Sequence, residues 1–109
     1  MDLLKGTLDV LILKTLSWGA MHGYAISRAI GRTTDQELRV EEGALYPALR
    51  RLERRGLLRG RWGRTDNGRE ARFYELTADG KRWLAAEVGR WERYAHAMER
   101  VLRAERPHP

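Results

Sequence analysis

Nine arginines fall between positions 50 and 72: Arg50, Arg51, Arg54, Arg55, Arg59, Arg61, Arg64, Arg69 and Arg72. Only Glu53, Asp66 and Glu70 oppose them, so the segment carries +6, and the remaining 12 basic and 12 acidic side chains cancel. Arginine forks onto phosphates and guanine edges, whereas lysine acts as a point charge. Its 18-to-3 excess over lysine and its concentration in one segment are the footprint of a polyanionic partner, most often nucleic acid. A charge run on a single helix is usually a solvated face. Here the surplus spans two consecutive elements of an otherwise neutral chain, which favours nucleic-acid binding.

No other set of side chains promises chemistry. Cysteine is absent, which removes disulfides, zinc–thiolate sites and thiol nucleophiles. His22, His96 and His108 are not spaced as metal ligands, and His22 reads as a loop or capping residue. The adjacent Glu41 and Glu42 diverge on a helix and make no acid/base pair. There is no nucleophile–base set, phosphate-binding glycine loop or dinucleotide fingerprint. The expectation is a non-enzyme that needs no metal and no cofactor.

The elements that must position the arginines are legible from periodicity. A first helix is expected over residues 7–18, where Leu4, Leu8, Leu11, Ile12 and Leu16 make one apolar face, with Thr7 or Asp2 as cap. A second is expected over 23–31 and ends at Gly31. Residues 37–40 alternate and predict a short strand. The third helix, 42–55, buries Leu45, Leu49 and Leu52. Pro47 is expected in its first turn, where a missing N–H costs nothing, and Gly56 stops it. Gly43, Pro47, Arg50 and Arg54 point away from the leucine stripe. Residues 57–64 and 69–76 predict a hairpin around Asp66-Asn67-Gly68.

A last helix is expected from Thr77, a good N-cap, to about Arg103. Leu84, Val88, Trp91, Ala95, Met98 and Leu102 are spaced 4, 3, 4, 3, 4, a heptad-like seam. A helix of about 24 residues would be roughly 36 Å long, more than the small domain before it can cover. The seam therefore asks for a partner, most economically a second copy.

At 109 residues, with 42 % apolar and 33 % charged side chains, this is a folded domain with an appended element rather than a disordered tail. The division expected is 1–77 for the compact part and 78–109 for the helix and a short polar tail. So short a chain buries a modest core, and oligomerisation would help its stability. The apolar run over 3–16 is broken by Lys5, Asp9 and Lys14, too short and too charged to span a bilayer. Met1-Asp2 shows no basic leader, so a cytoplasmic location and no membrane partner are expected.

Three helices followed by a basic hairpin is the order of a winged helix-turn-helix, whose third helix enters the major groove, about 12 Å wide. The fold class expected is therefore mainly α with a small β-hairpin: a winged helix-turn-helix plus a long C-terminal dimerisation helix. The blocks Leu4-Lys5-Gly6-Thr7-Leu8, Met21-His22-Gly23-Tyr24, Glu41-Glu42-Gly43-Ala44-Leu45-Tyr46-Pro47-Ala48-Leu49, Arg51-Leu52-Glu53 and Arg72-Phe73-Tyr74-Glu75-Leu76-Thr77 resemble those of the PadR-like transcriptional regulators. With the terminal Trp-bearing helix, the resemblance runs over residues 3–102 and points to the short subfamily with one C-terminal helix. It implies a dimeric DNA-binding regulator, usually a repressor, often released from its operator by a small molecule. Family members often carry Ser or Thr where this chain has Ala44, which can offer only an apolar contact.

On this reading the DNA-binding candidates are Lys5, Tyr46, Pro47, Arg50, Arg51 and Arg54 from the helices, and Arg64, Arg69 and Arg72 from the wing. Tyr46 has two roles open to it: its ring packs beside the leucine stripe, or its hydroxyl reaches a phosphate. Leu84, Val88, Trp91, Ala95, Met98 and Leu102 are the dimerisation candidates. Trp91, with Trp83 beside the seam, either buries the dimer contact or lines a cavity for an aromatic or hydrophobic effector. The expected partners are double-stranded DNA, a second copy of the chain and such an effector. The rival readings are a winged helix that binds RNA or protein, and a small-molecule-binding dimer.

Overall fold

The structure, a computed structural model, describes residues 6–106. The elements run α1 (Leu8–Leu16), β1 (Met21–His22), α2 (Gly23–Thr33), α3 (Glu42–Arg54), β2 (Leu58–Arg64), β3 (Glu70–Leu76) and α4 (Ala78–Arg103). The result is mainly helical with a three-stranded antiparallel sheet in the order β1-β3-β2.

One apolar core gathers all of these elements. Ile12, Leu13 and Leu16 of α1 meet Ile26 and Ile30 of α2, Leu45, Leu49 and Leu52 of α3, and Leu58 and Tyr74 of the sheet. On α3 the leucine stripe and Ala48 are buried, while Gly43, Pro47, Arg50 and Arg54 are exposed, as the 3.6-residue period requires. The end of α3 is fixed by backbone geometry. Gly56 sits at φ +77°, its N–H donates to Glu53 O at 2.9 Å, and Leu57 N–H donates to Leu52 O at 3.0 Å. These two bonds close a left-handed cap that only glycine adopts cheaply, and they turn the chain directly into β2.

The hairpin pairs Leu58 with Leu76 through to Arg64 with Glu70 and turns at Gly68, φ +80°. It is not alone: Met21 pairs with Tyr74 and His22 with Phe73, so β1 completes the sheet. The strand expected at 37–40 is absent. Two of its backbone groups bond to side chains of α2 and its C-cap instead, with Leu38 N–H donating to Thr34 Oγ1 at 3.0 Å and Ser27 Oγ donating to Val40 O at 3.2 Å. Two boundaries also differ from expectation. α2 continues through Gly31, which is buried under the Gln36 side chain, to Thr33. Pro47 is the sixth residue of α3, inside the helix rather than in its first turn. Its missing N–H leaves the Gly43 carbonyl without its partner one turn on, and Gly43 is exposed to solvent. Thr7 stands at the N-cap of α1 without a side-chain cap bond, and Asp2 lies outside the described residues.

Thr77 caps α4 by accepting from Gly80 N–H at 3.0 Å, and its hydroxyl donates to Gly56 O at 2.6 Å. Thr77→Ala is expected to cost about 1 kcal/mol, read as a lowered midpoint in urea unfolding with an unchanged slope.

Candidate nucleic-acid interface

The arginine block is not one uniform surface, because three carboxylates, Asp9, Glu53 and Glu75, engage four of its members. Arg51 Nη2 lies 2.5 Å from Asp9 Oδ1 on α1, and Arg55 Nη1 lies 4.0 Å from Asp9 Oδ2. Arg55 also stacks over the Trp83 ring, 5.5 Å from its centroid. Arg59 faces Glu75 at 3.7 Å across the hairpin. Arg72 Nη2 donates to Glu53 Oε2 at 2.6 Å. Arg64 is spent on the turn, its Nη1 donating to Gly68 O at 3.0 Å. Among the described residues Arg50, Arg54, Arg61 and Arg69 are exposed with no acidic group within 4.0 Å.

Within the block, these four have the most freedom to meet a polyanion. Arg50 and Arg54 lie one helical turn apart, beyond Gly43 and Pro47 on the outward face of α3, and Arg69 stands beside the hairpin turn. Tyr46 is 36 % exposed. Its ring crosses the first residue of α2: a Cβ added at Gly23 would lie 2.7 Å from Tyr46 Cε1 and 3.0 Å from its hydroxyl. The glycine thus permits the close approach, with the Tyr46 hydroxyl at the start of a helix. Lys5 lies outside the described residues.

Glu53 raises the pKa of Arg72 above its ordinary value through their hydrogen bond, against the opposing effect of desolvation. The Tyr74 phenol beside it is pushed up by burial, with Arg72 pulling the other way. Both arginine and phenol therefore hold one charge state throughout the neutral range.

An open cleft of about 1020 Å³ lies between the start of α2, Tyr46 and the inner side of the hairpin. Its walls include Tyr24, Arg28 and Arg32 of α2, Trp62 of β2 and Arg69 and Arg72 of the hairpin. Tyr24, Arg28, Arg32 and Trp62 are not among the site residues expected from the sequence. The signal existed for the first three: they recur at i, i+4 and i+8, opposite Ile26 and Ile30, and so form a single face. Arg28 stacks over Tyr24 at 5.5 Å. Trp62 is 69 % exposed, with the Arg72 guanidinium 5.8 Å from its ring.

The seam on α4 divides. Leu84 is part of the chain's own core, and Trp83 and Val88 pack against that core. Trp91 at 43 %, Met98 at 44 % and Leu102 at 73 % are exposed farther along, Ala95 lies between them, and Trp91 packs its ring 5.8 Å from that of Tyr94. A second cleft, about 740 Å³, lies between the end of α1, β3 and α4 and includes Lys14, Glu75, Leu84, Val88 and Glu92; neither Trp83 nor Trp91 lines it. Among the described residues no helix is long and apolar enough to cross a membrane, and no cluster of three metal-ligating side chains occurs.

Known proteins share this arrangement. The chain is 30 % identical over 90 residues to an uncharacterised protein of Lysinibacillus sphaericus, covering 83 % of each. It superposes on a PadR-like transcriptional regulator from Bacillus cereus with a TM-score of 0.81 at 26 % identity, covering 94 % of this chain and 97 % of that one. A transcriptional regulator from Clostridium thermocellum gives 0.79 at 28 % identity, covering 88 % and 93 %. The model of the transcriptional regulator PadR-like family matches residues 12–86, a span that takes in the α3 face, the hairpin and the root of α4. With this helical fold, this basic hairpin and this family signature, the chain belongs to the PadR-like transcriptional regulators.

Proposed function

We propose that this regulator binds double-stranded DNA sequence-specifically as a homodimer, with α3 of each subunit in the major groove and the β2–β3 wing against the flanking backbone. The observation that carries the reading is the sorting of the arginines. Internal carboxylates engage Arg51, Arg55, Arg59 and Arg72, whereas Arg50, Arg54, Arg61 and Arg69 remain exposed without one. Arg50 and Arg54 extend from an outward α3 face made narrow by Gly43 and Pro47, the shape a helix needs to enter a groove. Arg28, Arg32 and Tyr24 line the adjoining cleft, where a phosphate backbone would pass. Two readers related by a dyad would address half-sites about 34 Å apart on a pseudo-palindromic operator. Repression follows from occupying that site, and an aromatic or hydrophobic effector would act by changing the spread of the two α4 helices and hence the spacing of the readers.

The test begins with selection of bound duplexes from a random pool, which yields half-site sequence and spacing together. Arg50→Ala with Arg54→Ala is then expected to weaken binding to the selected duplex at least about 30-fold, each arginine carrying on the order of 1–3 kcal/mol if it forks onto a base edge. The slope of log affinity against log salt should fall by about 0.9 for each phosphate that the double variant no longer neutralises. A scrambled duplex and a structured RNA serve as comparators. Wild-type affinity retained by the double variant, or equal binding to all three polymers, would refute the proposal.

A further inference from the structure

Arg72 belongs by sequence to the basic wing, yet its side chain is turned inward along the hairpin. It faces the same side of the sheet as Leu58, Gly60 and Tyr74, the side that meets α3. The guanidinium lies flat over Gly60: a Cβ there would be 2.7 Å from Arg72 Nε and 2.8 Å from Cζ. From that position it reaches Glu53 on α3 at 2.6 Å. Trp62 flanks it from the pairing position across the strands, and Tyr74 lies beside it, buried. Glu53 is half-buried and is the one carboxylate α3 carries beyond Glu42.

We infer that Glu53 and Arg72 form a strut that sets the angle between the wing and the reading helix, so that this acidic residue, in the most basic part of the chain, is required for DNA selectivity. The inference rests on the DNA-binding reading above. Its physical content is that α3 and the wing must touch DNA together, in one register. Their other links are the turn at Gly56, the packing of Leu58 and Tyr74 against the α3 leucines and the pairing of β1 with Phe73 and Tyr74; all lie inward of position 72 and leave the outer end of the hairpin free to swing. A charge-assisted hydrogen bond midway along the hairpin restricts that swing. Arg72 is accordingly a positioning residue, and Gly60 is the opening through which it passes.

This role opposes the one that charge alone suggests, and three single variants and one double variant separate them. Glu53→Gln removes a negative charge and with it the charge-assisted part of the bond that holds Arg72. If Arg72 met phosphate, affinity would rise. As a strut, its ratio of selected-duplex to scrambled-duplex affinity falls about tenfold, the scale of one charge-assisted hydrogen bond. Arg72→Gln should lower the ratio by the same factor without reducing the salt slope, whereas a side chain that neutralises a phosphate would take about 0.9 of the slope with it. The double variant should be no worse than either single. Gly60→Ala keeps every charge, and the three atoms nearest its added methyl all belong to the flexible end of Arg72, so it should fold, expel the guanidinium and reproduce the fall in selectivity.

Hydrogen exchange without DNA supplies an independent readout: amides of β2 and β3 should exchange about tenfold faster in all three variants, with those of α4 unchanged. Unchanged selectivity and exchange in Glu53→Gln and Gly60→Ala overturn the strut, as does an affinity gain in Glu53→Gln. If the wild type itself fails to discriminate the two duplexes, the DNA-binding reading and the selectivity role fall together. The exchange rates then still decide whether the strut holds the wing.

Discussion

Replacing Met98 and Leu102 together with aspartate is expected to give a folded monomer that binds the selected duplex at least about 100-fold more weakly, because the two half-sites are no longer engaged by one molecule. The expectation follows from how α4 is spent. Its 26 residues make it about 39 Å long. The first half is anchored, with Leu84 in the core and Trp83 and Val88 against it. Farther along the helix, Trp91, Tyr94, Met98, Val101 and Leu102 stand exposed. Five large apolar or aromatic side chains on one helix end are more than a monomer ordinarily leaves to water. The heptad spacing of Trp91, Ala95, Met98 and Leu102 is what a second copy of the same helix would fill. Because both positions are exposed within one subunit, aspartate there should disturb assembly and not folding. Sedimentation would report one 12.7 kDa chain instead of two, while circular dichroism stays unchanged. A variant that still sediments as a dimer and binds as the wild type does would remove α4 as the dimer contact.

Gly80→Ala carries the largest expected loss of stability. Gly80 is buried in the first turn of α4, and a Cβ there would run into the carbonyl oxygen of Leu57. That oxygen cannot move aside, because it already accepts from Thr77 N–H at 3.2 Å and ties the start of β2 to the end of β3. The obstacle is backbone and not the end of a flexible side chain, so α4 must tilt off the sheet, carrying Leu84 out of the core. The cost should reach roughly 3 kcal/mol, the upper range for overpacking, and lower the thermal midpoint by more than about 10 °C. Gly89→Ala is the control on the same helix. Within the chain its added methyl would meet only Arg93 Nη1 at 3.5 Å, and the gain in helix propensity should leave it neutral or more stable. Equal behaviour of the two variants would show that the close approach at Gly80 is not what seats α4.

Much of this architecture was written locally. The leucine stripe of α3, the turn glycine at 68, the Thr77 cap and the length of α4 each depend on residues within a few positions of one another. The third strand was not legible, since two residues at 21 and 22 have no periodicity and become a strand only by pairing with Phe73 and Tyr74 some fifty positions later. The same reason accounts for Leu84. Its spacing suits a dimer seam and a core equally, and only the docking of α4 on α1 and the sheet put it in the core.

By itself, the sequence determined that this protein concentrates its positive charge on one helix and the hairpin after it, because charge and periodicity are properties of neighbouring residues. Which of those arginines remain exposed without a carboxylate was decided by the tertiary structure alone. Asp9 stands 42 positions from Arg51, and Glu53 stands 19 from Arg72. An ion pair forms where folding brings opposite charges together, and no local pattern along the chain records that meeting.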